Sequence, residues 1–187
     1  MAATEPIRDK SQLLQLTSYF LHKGEIRNHL LVNLCVHTAL RISDILRLTT
    51  DDVYNYKKRR IRSFIKLTEK KTKKSQTIAV NEHLAKALKE YLPLSSSGQA
   101  LILSQRGDKA ISRIQAYRII RKASEDLDIG RVSCHSLRKS FGYHSWKDGI
   151  AIAVIMDIYN HSSYEVTRRY LGISQDDRNE AYLNFCA

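Results

Sequence analysis

The sequence predicts a mainly helical α+β fold with one small antiparallel sheet, and three features predict it. Apolar residues recur at helical spacing up to Ala39 and again from Ser112 onward. Between them, residues 53–80 switch to the alternation of half-buried strands, broken by basic turns. No linker divides the interior, so residues 1–187 read as a single domain, long enough to bury its own core.

Each element follows from local chemistry. Asp9 can cap a first helix whose stripe includes Leu13, Leu16 and Phe20, and Gly24 ends it. A second helix, Ile26 to Ala39, is apolar enough to be central. Ser43 is placed to cap a short third helix through Ile45 and Leu46. Val53 to Tyr56, Ile61 to Leu67 and Gln76 to Val80 read as strands, with a basic turn at Lys57 to Arg60 and a lysine-rich hairpin tip at Thr68 to Ser75. Asn81 caps a helix that ends before Pro93, and Ser95-Ser96-Ser97-Gly98 is a loop. A short strand, Leu101 to Leu103, precedes a turn at Gly107-Asp108. Helices follow from Ser112, separated near Gly130, Gly149 and Ser162. In the first of these, Ile114, Tyr117 and Ile119 mark an inward face.

Charge narrows the partner. Thirty-one Lys and Arg against nineteen Asp and Glu leave a net +12, which favours a polyanion, because each neutralised phosphate releases condensed counterions. The cations do not gather on one amphipathic helix with an aromatic face, which argues against a membrane surface. The start, Met1-Ala2-Ala3-Thr4-Glu5-Pro6, has no signal pattern, and the longest apolar runs, such as Ile150 to Ile155, are too short to span a bilayer. Cys35, Cys134 and Cys186 are scattered without metal-ligand spacing, so a reduced cytoplasmic protein is expected.

The last third carries the chemistry. His135-Ser136-Leu137-Arg138 is followed, after twenty-two residues, by His161 and then, nine positions on, by Tyr170. Two donors, a cation and a phenol suit the holding of a phosphodiester while a tyrosine oxygen attacks its phosphorus. Upstream, Thr38-Ala39-Leu40-Arg41-Ile42-Ser43-Asp44 puts an arginine at a turn between two helices. The hairpin adds Lys71-Thr72-Lys73-Lys74, followed by the alternating Thr77-Ile78-Ala79-Val80.

In these segments the chain resembles the catalytic domain of the tyrosine recombinases, the phage integrase family, over essentially its whole length. Thr38 to Asp44 resembles the first box, with alanine where a glycine is usual. Lys71 aligns with the hairpin lysine because Ile78-Ala79-Val80 then takes the place of the following strand. His135 to Arg138 resembles the second box. Asn160-His161-Ser162-Ser163, with asparagine for a common glycine, and Arg169-Tyr170-Leu171 resemble the third. The resemblance implies that Tyr170 attacks DNA to leave a 3′-phosphotyrosine and a free 5′-hydroxyl, with neither metal nor ATP. It implies that Arg41 and Arg138 grip the non-bridging oxygens and that Lys71 is the general acid. His135 and His161 would donate to the phosphate or take the tyrosine proton, and Asp44 would buttress Arg41 or a histidine.

The resemblance also implies double-stranded DNA as partner, a tetrameric synapse on DNA and a monomer when free. Ser112, Arg113 and Gln115 become candidate readers of base edges. Lys57, Lys58, Lys73 and Lys74 become phosphate contacts, which carry little sequence information. The separate helical domain that most relatives carry before the catalytic one is expected to be absent, since only forty residues precede Arg41. The tail, 174–187, with Ala181, Tyr182, Leu183 and Phe185 in an amphipathic pattern, is expected to dock on a neighbouring subunit. Two other classes fit less well. A type IB topoisomerase would relax supercoils as a monomer, and a non-catalytic DNA-binding module would not need the complete site.

Overall fold

The computed structural model describes residues 4–173, 176, 179 and 182–184. The helices are α1 (Lys10–His22), α2 (Ile26–His37), α3 (Ile42–Ile45), α4 (Thr50–Val53), α5 (Glu82–Tyr91), α6 (Arg113–Asp126), α7 (Cys134–Lys147), α8 (Ile152–Tyr159) and α9 (Tyr164–Leu171). The strands are β1 (Tyr54–Asn55), β2 (Arg60–Ile61), β3 (Phe64–Thr68) and β4 (Ser75–Ala79). No described helix is long and apolar enough to cross a membrane.

The expected fold class is the one observed. Asp9 caps α1 by accepting from Ser11 N–H, and Leu16 and Phe20 are buried on its inner face. Every residue from Asn28 to Val36 of α2 is buried. A helix buried on all sides belongs at the centre, and α1, α5 and α7 pack around this one. Leu30, Leu31 and Leu34 are fully buried there, each contributing roughly 1.5–3 kcal/mol of burial. That surplus explains how α3 and α4, four residues each and far too short to persist alone, can form at all. Asn81 caps α5 by accepting from Leu84 N–H, and a 3-10 turn, Leu92–Leu94, takes up Pro93.

The β layer differs from expectation. It is two separate antiparallel ladders, β1 with β2 and β3 with β4, because Arg62 and Ser63 interrupt what reads as one strand, Ile61 to Leu67. Arg62 N–H bonds instead to Val53 C=O, and its Nε to Asp51 C=O. β3 and β4 pair Phe64 with Ala79 through Thr68 with Ser75. Leu101 to Leu103 is no strand: only isolated bridges, Thr49 with Ala100 and Leu103 with Ala110, flank it. Ser43 does not cap α3; Arg41 holds that position with extended backbone. The short helix α4 went unread beneath the strand signal of Val53 to Tyr56.

On α6 the inward face is Ala116, Ile120, Ala123 and Ser124, with Ile119 half-buried. Ile114 and Tyr117, expected to face inward, are exposed, because the small residues Ala116 and Ala123 are what allow this helix to pack closely. Cys35 and Cys134, ninety-nine positions apart, are brought together, and their proximity pushes the Cys35 thiol up and the Cys134 thiol down. A second, smaller core of Ala39, Ile152, Ile155, Tyr159, Leu171 and Ile173 joins α8 and α9 to the main body. Of the apolar tail residues, Ala181 and Phe185 lie outside the described residues, as does Cys186, whereas Tyr182 and Leu183 are exposed.

Candidate active site

Tyr170 sits on the last turn of α9, held against the smaller core. Its hydroxyl lies 3.5 Å from His135 Nδ1. The ring meets those of His161, His135 and Tyr159 at centroid separations of 4.9, 5.1 and 5.3 Å. His135 and Arg138 are three residues apart on α7 and therefore share a face. Ser133 caps that helix by accepting from Ser136 N–H, which fixes where His135 starts.

Arg138 is buried, yet its Nη1 has no hydrogen-bond partner. A buried guanidinium nitrogen without a protein partner is costly, and its planar fork is suited to an oxyanion. The guanidinium stacks over Tyr159 at 4.7 Å from the ring centroid and borders the Tyr170 phenol. Tyr159, fully buried, donates its hydroxyl to Arg138 C=O and accepts from Gly142 N–H at 2.9 Å. A Cβ at Gly142 would stand 2.7 Å from the Tyr159 ring and 2.8 Å from Leu171. Only glycine lets α7 approach α8 and α9 this closely.

Arg41 follows a residue in an unusual conformation. Ala39 has φ +54, in the left-handed region, as does Asn160 with φ +55 at the C-cap of α8. These are the two positions where the resemblance leads one to expect glycine. Asparagine tolerates that region, whereas alanine is strained by about 1 kcal/mol or more. Both turns aim a site residue, Arg41 in one case and His161 in the other.

The buttress differs from expectation. Arg41 Nη1 bonds Glu69 Oε1 at 2.8 Å. Asp44, also buried, accepts instead from the backbone N–H of Lys70 at 2.9 Å and lies 3.7 Å from Arg47. Asp44 therefore braces the hairpin, and Glu69 holds Arg41. Lys71, Lys73 and Lys74 are exposed on that hairpin's tip, and no bond joins them to the groups around Tyr170 among the described residues.

The histidines are neutral at pH 7. Burial, then the cations Lys139, Arg138 and Arg41, push His135 down to about 4. His161 is likewise lowered, by burial and by Arg138 and Arg41. Its Nδ1 lies 3.0 Å from Thr167 Oγ1, and that hydroxyl reaches Ser163 C=O at 3.3 Å. With the hydroxyl proton given to Ser163, Thr167 accepts from Nδ1–H, and Nε2 is left as a lone-pair base. Burial raises the Tyr170 phenol above its ordinary value, against the pull of Arg138 and Arg41. The phenol is therefore protonated and stands among bases able to take its proton.

The expected base readers are differently engaged. Ser112 Oγ accepts from Gln115 N–H at 3.1 Å, and Gln115 Oε1 accepts from Ser112 N–H at 2.8 Å, closing a capping box at the start of α6. Arg113 is exposed beside them. Lys57 and Lys58 lie on the exposed turn between β1 and β2. Sequence reasoning missed Glu69, Tyr159 and Lys139, whose Nζ lies 5.0 Å from the Tyr170 ring centroid. For Glu69 the signal was available: one carboxylate in the lysine-rich stretch Lys66 to Lys74.

Comparison with known proteins accords with this geometry. The phage integrase family model matches residues 8–176. The probable integrase/recombinase YoeC of Bacillus subtilis is 38% identical over 185 residues, covering 99% of this chain and 98% of that protein. The tyrosine recombinase XerD of Corynebacterium glutamicum is 30% identical over 84% of this chain, which spans about half, 52%, of its length. Among solved structures, the XerA recombinase superposes with a TM-score of 0.78 at 22% identity, over 98% of this chain and 64% of that one. A XerH recombinase in a post-cleavage complex with its difH substrate gives 0.72 at 19% identity, over 91% and 50%. The chain belongs to the phage integrase family, the site-specific tyrosine recombinases.

Proposed function

We propose that Tyr170 is the nucleophile with which this recombinase cleaves double-stranded DNA, and that Arg41, Arg138, His135, His161 and Lys71 complete the reaction. The observation that carries the reading is a phenol 3.5 Å from a neutral imidazole, beside a buried arginine whose Nη1 lacks a partner. A phosphate between Arg138 and Arg41 supplies what that nitrogen is missing.

The step balances without a cofactor. The Tyr170 oxygen bonds to phosphorus as its proton passes to His135 or to Nε2 of His161. The bond from phosphorus to the 5′-oxygen breaks, and Lys71 protonates that oxygen as it leaves. Arg41 and Arg138 spread the charge of the five-coordinate phosphorus over fixed donors. A 5′-hydroxyl from a second duplex then reverses the step and completes exchange.

Residues 39 and 40 belong one to each apolar cluster, which supports reading the chain as one catalytic unit. Lys57, Lys58, Lys73, Lys74 and Arg113 lie on exposed turns or at a helix start, and we assign them to DNA, with Ser112 and Gln115 shaping the start of the reading helix. The free protein is taken as a monomer that forms a tetrameric synapse on DNA in the nucleoid. Related proteins solved on DNA support that partner, among them a lambda integrase dimer on a core site.

The test uses a pool of nicked duplexes with randomised sequence around the nick, which traps covalent protein when the short strand diffuses away. The wild type should enrich particular duplexes as protein–DNA adducts resistant to denaturant, and Tyr170→Phe should bind the enriched duplex yet give no adduct. An adduct with Tyr170→Phe, or none with the wild type, overturns the reading.

A further inference from the structure

Glu69 stands out from its surroundings. Lys70, Lys71, Lys73 and Lys74 beside it are exposed, whereas Glu69 is 1% exposed. A carboxylate removed from water needs every lone pair used, and here the partners come from three separate parts of the site. Oε1 accepts from Arg41 Nη1 at 2.8 Å. Oε2 accepts from the hydroxyl of Thr72, next to Lys71, and from Asn160 Nδ2 at 3.1 Å, next to His161. The backbone of Glu69 closes the tip as well, donating to Lys74 C=O at 3.0 Å and accepting from Lys73 N–H at 3.1 Å.

We propose that Glu69 is a positioning residue for the cleavage step, joining Arg41, the lysine tip and the His161 turn through one carboxylate. Its charge holds one end of the Arg41 fork from behind and turns the remaining guanidinium donors toward the phosphate. Through Thr72 it seats the turn that carries Lys71, so that the general acid meets the leaving oxygen in register with the two arginines. Asn160 supplies the third tie. Its left-handed backbone could be made by glycine, but glycine offers no amide to Glu69. An ion pair that merely steadied the hairpin would not need partners on three segments that each carry a reacting group.

The proposal rests on the roles given above to Arg41 and Lys71, and its test separates the two. On the duplex selected by the wild type, single-turnover adduct formation is measured for Glu69→Gln, Asn160→Gly and Lys71→Ala. Each is run on the natural phosphodiester and on a substrate with sulfur at the bridging 5′ position, whose thiolate leaves without a proton. Thermal midpoints and DNA affinity are recorded for every variant.

Glu69→Gln should slow cleavage of the natural duplex by about 10- to 100-fold, as loss of an orienting partner does elsewhere, with affinity nearly unchanged. Asn160→Gly, which suits φ +55 and removes one tie only, should slow it by roughly 3- to 10-fold, the worth of one hydrogen bond. The sulfur substrate should restore Lys71→Ala and recover part of the Glu69→Gln loss. A wild-type rate for Asn160→Gly overturns the proposal even where Glu69→Gln fails to fold. So does a Glu69→Gln loss that is equal on both substrates, or one that follows its thermal midpoint. Failure of Lys71→Ala to recover on sulfur would instead count against the general-acid assignment beneath it.

Discussion

The cradle around Tyr170 and the tip that carries Lys71 are built in opposite ways. In the cradle, Arg138, Tyr159 and Leu171 are buried, and Tyr170 packs between two imidazoles and a second phenol. Three helices fix every position before any substrate arrives. In the tip, four lysines are exposed, and two buried carboxylates, Glu69 and Asp44, anchor the turn from beneath. The difference fits the roles proposed above for each group. Donors that face developing negative charge gain most when they need no reorganisation. An acid that must find an oxygen on an incoming duplex can ride on an element that settles as DNA docks.

The largest effect should come from the cradle. Arg138→Ala should slow adduct formation by about 10² to 10³, as loss of a fixed oxyanion donor does, while DNA affinity falls far less. An equal loss in affinity and rate would mean that this arginine binds the ground state, and the contrast with the tip would disappear.

Next comes packing. Gly142→Ala places a methyl 2.7 Å from Tyr159, and should destabilise the protein by about 1–3 kcal/mol in urea unfolding through overpacking. It should also slow cleavage, since Tyr159 holds the Arg138 carbonyl. Unchanged stability would show that α7 and α8 separate easily and that the cradle is less rigid than its burial implies.

The smallest effect tests the turn before Arg41. Ala39→Gly relieves a left-handed alanine and should stabilise by about 0.5–1 kcal/mol, the strain relieved less the entropy glycine adds to the unfolded chain. A loss of stability would show that the packing of the alanine methyl in the smaller core outweighs its backbone strain.

Most of the fold was legible because its signals are local. Capping residues Asp9 and Asn81 and the apolar run of α2 announce themselves within a few positions. The break at Arg62 and Ser63 was hidden because Arg62 leaves the ladder to bond Asp51, a tertiary choice that alternation cannot reveal. On α6, large apolar residues drew attention to Ile114 and Tyr117, whereas close helix packing selected Ala116 and Ala123. His135, Arg138, His161 and Tyr170, which the structure brings together, were singled out by their spacing. Their supports were harder to read: Glu69 stands out as the one carboxylate of its lysine-rich stretch, but its partners lie twenty-eight positions away at Arg41 and ninety-one away at Asn160, where no local signal points to them.

Asn160 carries a consequence of its own. Because the chain reverses there in a geometry few residues accept, the heading on which it leaves α8 is decided by the peptide backbone, ahead of any contact the imidazole makes. Swapping that residue for a bulky or branched one would re-aim the histidine without touching its acid–base character. Catalytic power is thereby tied to a backbone geometry as well as to the groups that do the chemistry.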